Sequence, residues 1–417
     1  MKNYKIFPAF IIFLVLLITI FILLNYYSKH VSIRRDGYYE ITSLVKGEYS
    51  KAEEVKSRLT ARTKLQAVIE RASKNAYNII FGKFSNTYEA GKAAFDLFCD
   101  SLITGYEITL DGKKAADIFT NILFVSDDEG NPSLFQLNLM NKKISLIWND
   151  WGEEVVSLEQ SPDRNIVYFL TSAGVNRRRG LNSLADARLY NYTRENDRIK
   201  MVEYLKNGVQ FYSYWNSGNK FMTSFTSLDS STNQDVVQSI AVFDSTGEKI
   251  QKSAKKYNII KDGFPNPPVR KLSYTSSMNK YILNVKNEGA EKGVYIKRTY
   301  TEENLPVLKT KGELSYIAWS DDDKYLFFIY YDIKKISKKQ SKNEYFLVIY
   351  DADSKKIIRK FDSKEFRYLS VYGRILAVES GAGKDSEIMF YDYIKDKIYY
   401  NLTNSGGCVI KNLPLEK

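Results

Sequence analysis

The sequence predicts a mainly β fold: a six-bladed β-propeller over residues 111–404, preceded by an N-terminal transmembrane helix and a small helical region. Three observations carry this reading. A strand–turn–strand unit recurs six times, aromatic residues reach 14% with 32 Tyr and 23 Phe, and an uncharged run opens the chain. Aromatic and β-branched side chains fill pleated surfaces well, so this composition favours strands. The implied divisions are a signal anchor over 1–30, a helical juxtamembrane region over 31–110, the propeller over 111–404 and a C-terminal tail over 405–417.

The anchor is read from Ile6–Leu24, nineteen uncharged residues between Lys5 and Asn25. At about 1.5 Å per residue this nearly crosses a hydrocarbon core of about 30 Å. The run is longer than the apolar stretch of a cleaved leader, and Asn25–Lys29 lacks a small-residue cleavage pattern, which favours an uncleaved single-pass anchor. Lys2 and Lys5 nearly balance Lys29, Arg34 and Arg35, so the body is placed outside the cytoplasm because exporting everything after a short tail is the simpler arrangement.

In the next region, Tyr49–Asn75 spaces Val55, Leu59, Leu65, Val68 and Ile69 at a helical period, with Ser50 as N-cap. A second helix is expected over Tyr88–Ile103, introduced by Ser85-Asn86-Thr87 and carrying Ala93, Ala94, Leu97, Phe98 and Ile103. Both have apolar faces that need cover, so they are expected to pack on the β body.

From Asp111 the pattern alternates. The second strand of each unit reads Ile122–Val125, Ile166–Leu170, Phe221–Phe225, Tyr281–Val285, Tyr325–Ile329 and Ile375–Val378, about every 45–60 residues. Five have a recognisable preceding turn, clearest in Ser320-Asp321-Asp322-Asp323-Lys324, where aspartates shape the turn. A third strand and polar turn follow, best seen in Tyr345–Ile358 and repeated at Ile388–Ile398, Ile240–Ile250 and Leu134–Ile144. Four strands at this period make a propeller blade. Ser161-Pro162-Asp163-Arg164 and Trp319-Ser320-Asp321-Asp322-Asp323-Lys324 resemble the W-S-P-D-G-K turn of TolB-type, WD-like propellers, over Asp111 to about Thr403. The resemblance implies the fold and no particular partner.

Function is bounded mostly by exclusion. The single histidine, His30, lies beside the anchor, which argues against imidazole-based nucleophile systems and multi-histidine metal sites. Cys99 and Cys408 have no metal or redox spacing, and two unrelated thiols are the simpler reading than one disulfide. No cofactor or metal motif is present. Sixty-one Lys and Arg against 49 Asp and Glu favour an anionic partner. Nucleic acid is not expected, since no recognition motif accompanies the charge.

With strands labelled a to d in each unit, b–c and d–a connections share one face. That face collects Arg177, Arg178 and Arg179 in the second unit and Lys334, Lys335, Lys338, Lys339 and Lys342 in the fifth. It also takes Lys255, Lys256 and Lys261, read as a d–a loop, and Trp151, the tryptophan best placed for an exposed contact. The expected function is a membrane-anchored, non-enzymatic scaffold whose basic face binds a protein or an anionic envelope polymer. Two alternatives are a propeller enzyme using carboxylates or Tyr on an envelope glycan or peptide, and an assembly factor binding through its N-terminal helices.

Overall fold

In a computed structural model the described residues are 38–402 and 408–409, less short segments at 128–129, 162–163, 179–180, 206–207, 216–219, 229–234, 245, 259–260, 262–279, 287–292, 300–304, 311–312, 336–340, 364 and 382–385. The expected anchor and His30 lie outside them. Among the described residues no helix is long and apolar enough to cross a membrane.

Residues 39–115 form an α/β domain rather than the expected all-helical region. Its elements are β1 (Tyr39–Lys46), α1 (Tyr49–Thr63), β2 (Ala67–Ser73), β3 (Ala76–Phe84), α2 (Thr87–Cys99), β4 (Glu107–Leu110) and β5 (Lys113–Ala115). The sheet order is β2-β3-β1-β4-β5, antiparallel throughout. The first predicted helix stops at Thr63 because Lys64 turns left-handed, φ 60°. The chain then reverses, and Val68 and Ile69 fall on a strand, where Val68 is exposed and Ile69 faces the core. Ser50 does not cap α1; Glu48 holds the N-cap position without a side-chain bond. The second expected helix, α2, runs from Thr87 and stops at Cys99, short of the expected Ile103, with Asn86 as its cap: Asn86 Oδ1 accepts from Glu89 N at 2.8 Å. Ile41, Ile79, Phe81, Leu59, Ala94 and Leu97 are buried between sheet and helices.

The remaining described residues contain six antiparallel sheets of three or four strands, here I to VI, and one two-stranded hairpin. Strands a to d are Cys408–Val409, Asn121–Ser126, Ser133–Asn138 and Ile144–Trp148 in I, and Glu154–Gln160, Ile166–Ser172, Ala187–Thr193 and Arg198–Leu205 in II. In III they are Gly208–Trp215, Phe221–Leu228, Asp235–Phe243 and Lys249–Asn258. Sheet IV shows b, c and d at Tyr281–Lys286, Gly293–Arg298 and Leu305–Lys309. Sheet V is Glu313–Trp319, Tyr325–Lys335, Ser341–Asp351 and Lys356–Ser363; sheet VI is Phe366–Tyr372, Ile375–Ser380, Glu387–Asp392 and Lys397–Leu402.

All six b strands fall where the repeats placed them. Most read as nearly unbroken apolar runs, as expected where neighbouring sheets cover both faces, while strand b of sheet III carries buried Thr223, Ser224 and Thr226. In sheet I, Leu123 and Val125 pack against Val167 and Phe169 of sheet II. Ile122 and Phe124, one residue out of phase, pack against Ile375 and Ala377 of sheet VI. Shared cores likewise join II to III, IV to V and V to VI. The last sheet packs on the first, a propeller-like arrangement.

Closure depends on a correction to the tail. Cys408–Val409 supplies strand a of sheet I, pairing Cys408 with Ser126 and Val409 with Val125. This explains why Ile122–Val125 alone has no a-strand and turn before it.

The turns repeat as closely as the strands. Ser161 N and Ser320 N donate to Ile166 O and Tyr325 O at 2.8 and 2.9 Å, and each serine Oγ accepts from the same partner's N–H. Asp322 Oδ1 accepts from Ser320 Oγ at 2.6 Å and Lys324 N at 3.1 Å, so the acidic run builds the turn.

The candidate interaction face

The a–b and c–d turns face the α/β domain. Helix α2 lies on them: Phe95 packs against Phe119 and Tyr399, Lys92 pairs with Asp321 of sheet V, and Lys395 Nζ of sheet VI donates to Cys99 O. Arg374, in the a–b turn of sheet VI, reaches Asp100 at 2.6 Å, and Tyr39 OH donates to Glu195 of sheet II at 3.1 Å. This face of the ring is therefore met by the chain's own domain through α2, while α1 buries only Ala52, Val55 and Leu59 in the domain's own core and keeps its other side exposed. Cys99 is a free thiol pushed up to about 12 by burial, so it is held unreactive.

The opposite face carries the b–c and d–a connections. The second-unit connection is not a plain loop. Gly174–Arg178 and Leu181–Ala185 pair as a hairpin, with Arg177 opposite Asn182 and Arg178 opposite Leu181. Leu184 is tucked against the core shared by sheets II and III. Arg179 lies outside the described residues.

In sheet V, strands b and c run eleven residues each. Among the described residues strand a pairs as far as Tyr331 and strand d from Tyr345, so residues 332–335 and 341–344 have strand pairing only with each other. At about 3.4 Å per residue, this two-stranded ribbon projects roughly 13 Å beyond its neighbours. Its register sets Lys334 opposite Lys342 and Lys335 opposite Ser341. Lys338 and Lys339 lie in 336–340, outside the described residues.

Lys255 and Lys256 need a correction. They sit within strand d of sheet III, opposite Gln238 and Val237, rather than in a loop. Lys256 pairs with Asp235 at 3.0 Å, and Lys249 and Lys252 both reach Glu203. Lysines along this outer strand blunt an exposed sheet edge. Lys261 follows the strand, its N–H bonded to Asn258 Oδ1 at 3.1 Å.

Trp151 stands 83% exposed on the d–a connection from sheet I to II. Its loop is fixed from behind. Gly152 N donates to Asp150 Oδ1 at 3.0 Å, and Asn131 Nδ2 donates to Asp150 O at 3.0 Å and to Glu153 O. Glu153, buried, pairs with Arg188 and accepts from Thr171 Oγ1. A large exposed indole on a braced turn is pre-organised for contact. The other tryptophans with described side chains pack inside: Trp148 meets Phe169 and Tyr190, and Trp319 stacks on Tyr281 at 5.7 Å. Sequence reasoning missed Glu153 and Arg188, whose pairing joins a connection to a strand 35 residues further along the chain.

Fold and site together define an α/β domain seated on one face of a β-propeller, with basic β ribbons and one exposed tryptophan on the other. No family model and no curated protein matches the chain. Among solved structures, TolB from Acinetobacter baumannii is similar at 11% identity, over 83% of this chain and 81% of its own, TM-score 0.42. The β-propeller domain of the Trilobed protease from Pyrococcus furiosus is similar at 14% identity, over 72% and 95%, TM-score 0.39. A putative TolB from Agrobacterium tumefaciens is similar at 13% identity, over 69% and 91%, TM-score 0.34. The likeness is one of fold.

Proposed function

We propose that the chain is a membrane-anchored, non-enzymatic six-bladed propeller that holds an anionic partner, a protein or an envelope polymer, on its b–c and d–a face. The observation that carries this reading is the division of the ring: its own domain covers one face, while both basic connections and Trp151 occur on the other. Cationic positions raised on ribbons meet an extended anion before the disk does, which suits electrostatic capture. The uncharged run at 6–24 supports the anchor, with the body outside the cytoplasm.

The test is charge reversal at Lys334, Lys335 and Lys342 together, and separately at Arg177 and Arg178, in the full-length chain. Retention on an immobilised anionic polysaccharide and crosslinked pull-down from envelopes are then compared at low and high salt. Retention should fall in both variants and lose its salt dependence. Unchanged retention and an unchanged crosslinked partner would sink the basic-face reading. A periplasm-dependent reporter at the C-terminus checks topology, and an inactive fusion contradicts export.

A further inference from the structure

On the covered face, beneath α2, two arginines from sheet II come together without a carboxylate at ion-pair distance among the described residues. Arg194, in the c–d turn, is 6% exposed. Its Nη1 donates to Arg164 O at 3.1 Å and its Nη2 to Asn121 O, while its buried Nε has no partner. Arg164, in the a–b turn, lies over the Tyr372 ring at 3.8 Å with Tyr88 of α2 at 5.4 Å. One Arg164 terminal nitrogen donates to Val371 O, and the other, Nη1, is buried and unpaired.

The nearby carboxylates are engaged elsewhere. Asp117 accepts from Phe119 N, Thr120 N and Tyr106 OH at 3.1, 3.2 and 2.9 Å, and from Thr120 Oγ1. Asp321 is held by Lys92. Two guanidiniums that rely on separate neutral backbone carbonyls, Arg194 on Arg164 O and Asn121 O and Arg164 on Val371 O, are costly to bury, and each orphaned N–H adds to that cost.

We infer that Arg164 and Arg194 form a buried receptor for one small tetrahedral oxyanion of the phosphate or sulfate type, clasped between the propeller and α2. Guanidinium forks match oxyanion geometry, and unpaired Nη1 and Nε donors are the groups such an ion would engage. Burdened from above by Tyr88, the site takes a free ion rather than a group carried on a polymer. It is separate from the basic ribbons, so its failure leaves the proposed function standing.

The experiment is equilibrium dialysis of the full-length chain with radiolabelled inorganic phosphate in a chloride buffer, with unlabelled sulfate as competitor. Saturable binding of one ion per chain is expected, together with a rise in thermal midpoint at fixed ionic strength. Arg164→Gln should weaken binding about tenfold or more, and Arg164→Lys, which keeps the charge but not the fork, should weaken it in the same direction. A chain with Lys334→Gln and Lys342→Gln should bind as wild type. If Arg164→Gln does not fold, the lysine variant and the wild-type midpoint decide. Absence of saturable phosphate binding, which would leave the donors to water, overturns the inference. So does binding unaffected at Arg164 or abolished by the ribbon variant.

Discussion

Arg374 Nη1 and Asp100 Oδ1 meet at 2.6 Å across the junction of the two domains, joining the residue that ends α2 to the a–b turn of sheet VI. Arg374 also reaches Asp392, 1% exposed, at 3.1 Å, so one guanidinium neutralises a surface-reaching and a fully buried carboxylate. Burial works against its charge, yet the two carboxylates hold its pKa above the ordinary arginine value.

Replacing Arg374 by Ala leaves Asp392 as a buried, uncompensated charge. The expected loss is roughly 3–5 kcal/mol in urea unfolding. Asp100→Asn, which removes only the outer partner, should cost about 1 kcal/mol, because Asp100 is partly exposed. Equal losses in the two variants would contradict this ranking.

Asp96, on the same helix, predicts a pH dependence. Burial pushes its carboxyl up to about 6, with Arg374 and Lys92 pulling down and Asp100 and Asp392 adding to the rise. The folded chain therefore binds this proton more tightly than the unfolded chain does. Stability from this group is full below about pH 4 and falls as pH rises to about 6, by on the order of 2–3 kcal/mol. Asp100 acts in the opposite sense: burial raises its pKa, but Arg374's donation prevails and lowers it, so its contribution disappears as pH falls below the ordinary carboxylate range. Asp96→Asn should flatten the pH 4–6 slope and raise the urea midpoint at about pH 7.5. A slope retained in the variant would assign it elsewhere.

Gly91 sets two effects against each other. Within an isolated helix, Gly91→Ala would gain about 1 kcal/mol. A Cβ there would come 2.7 Å from Phe119 Cβ and 2.8 Å from Asp117 Oδ1, closer than side chains tolerate. Docking strain wins, and a net loss of about 1–2 kcal/mol is expected, with faster proteolysis between the domains. A more stable variant would show that α2 has room to shift.

Trp151→Ala should change unfolding free energy by no more than about 0.5 kcal/mol, since the indole is exposed. In the crosslinked pull-down it should weaken partner capture by about tenfold or more. Unaltered capture removes the indole from the contact surface.

The repeat was legible because most b strands are apolar on both faces, which leaves runs such as Tyr325–Ile329 unmistakable against their polar turns. The α/β domain was less so. Tyr39–Lys46 alternates only partly, and Val68-Ile69 continues the helical period of α1, so the stop at Lys64 left no trace except a change of backbone sign. Strand a of sheet I, two residues long here, carries no period; its signal was the missing turn before Ile122. The basic ribbons were found as charge, but their strand character was masked by the lysines and arginines that dilute β propensity. Glu153 and the Arg164–Arg194 pair depend on contacts between turns, which spacing along a chain does not reveal.

The ring's latch has a mechanical consequence. Among the described residues, strand a of sheet I is held by two register pairs, where strands b and c of sheet V share eleven. Tension applied through the C-terminus would unzip this short strap first, one rung at a time, while the remaining sheets still grip one another. Amides at Val125 and Ser126 should trade hydrogens with water sooner than those at Phe327 and Phe328, marking where the hoop gives way.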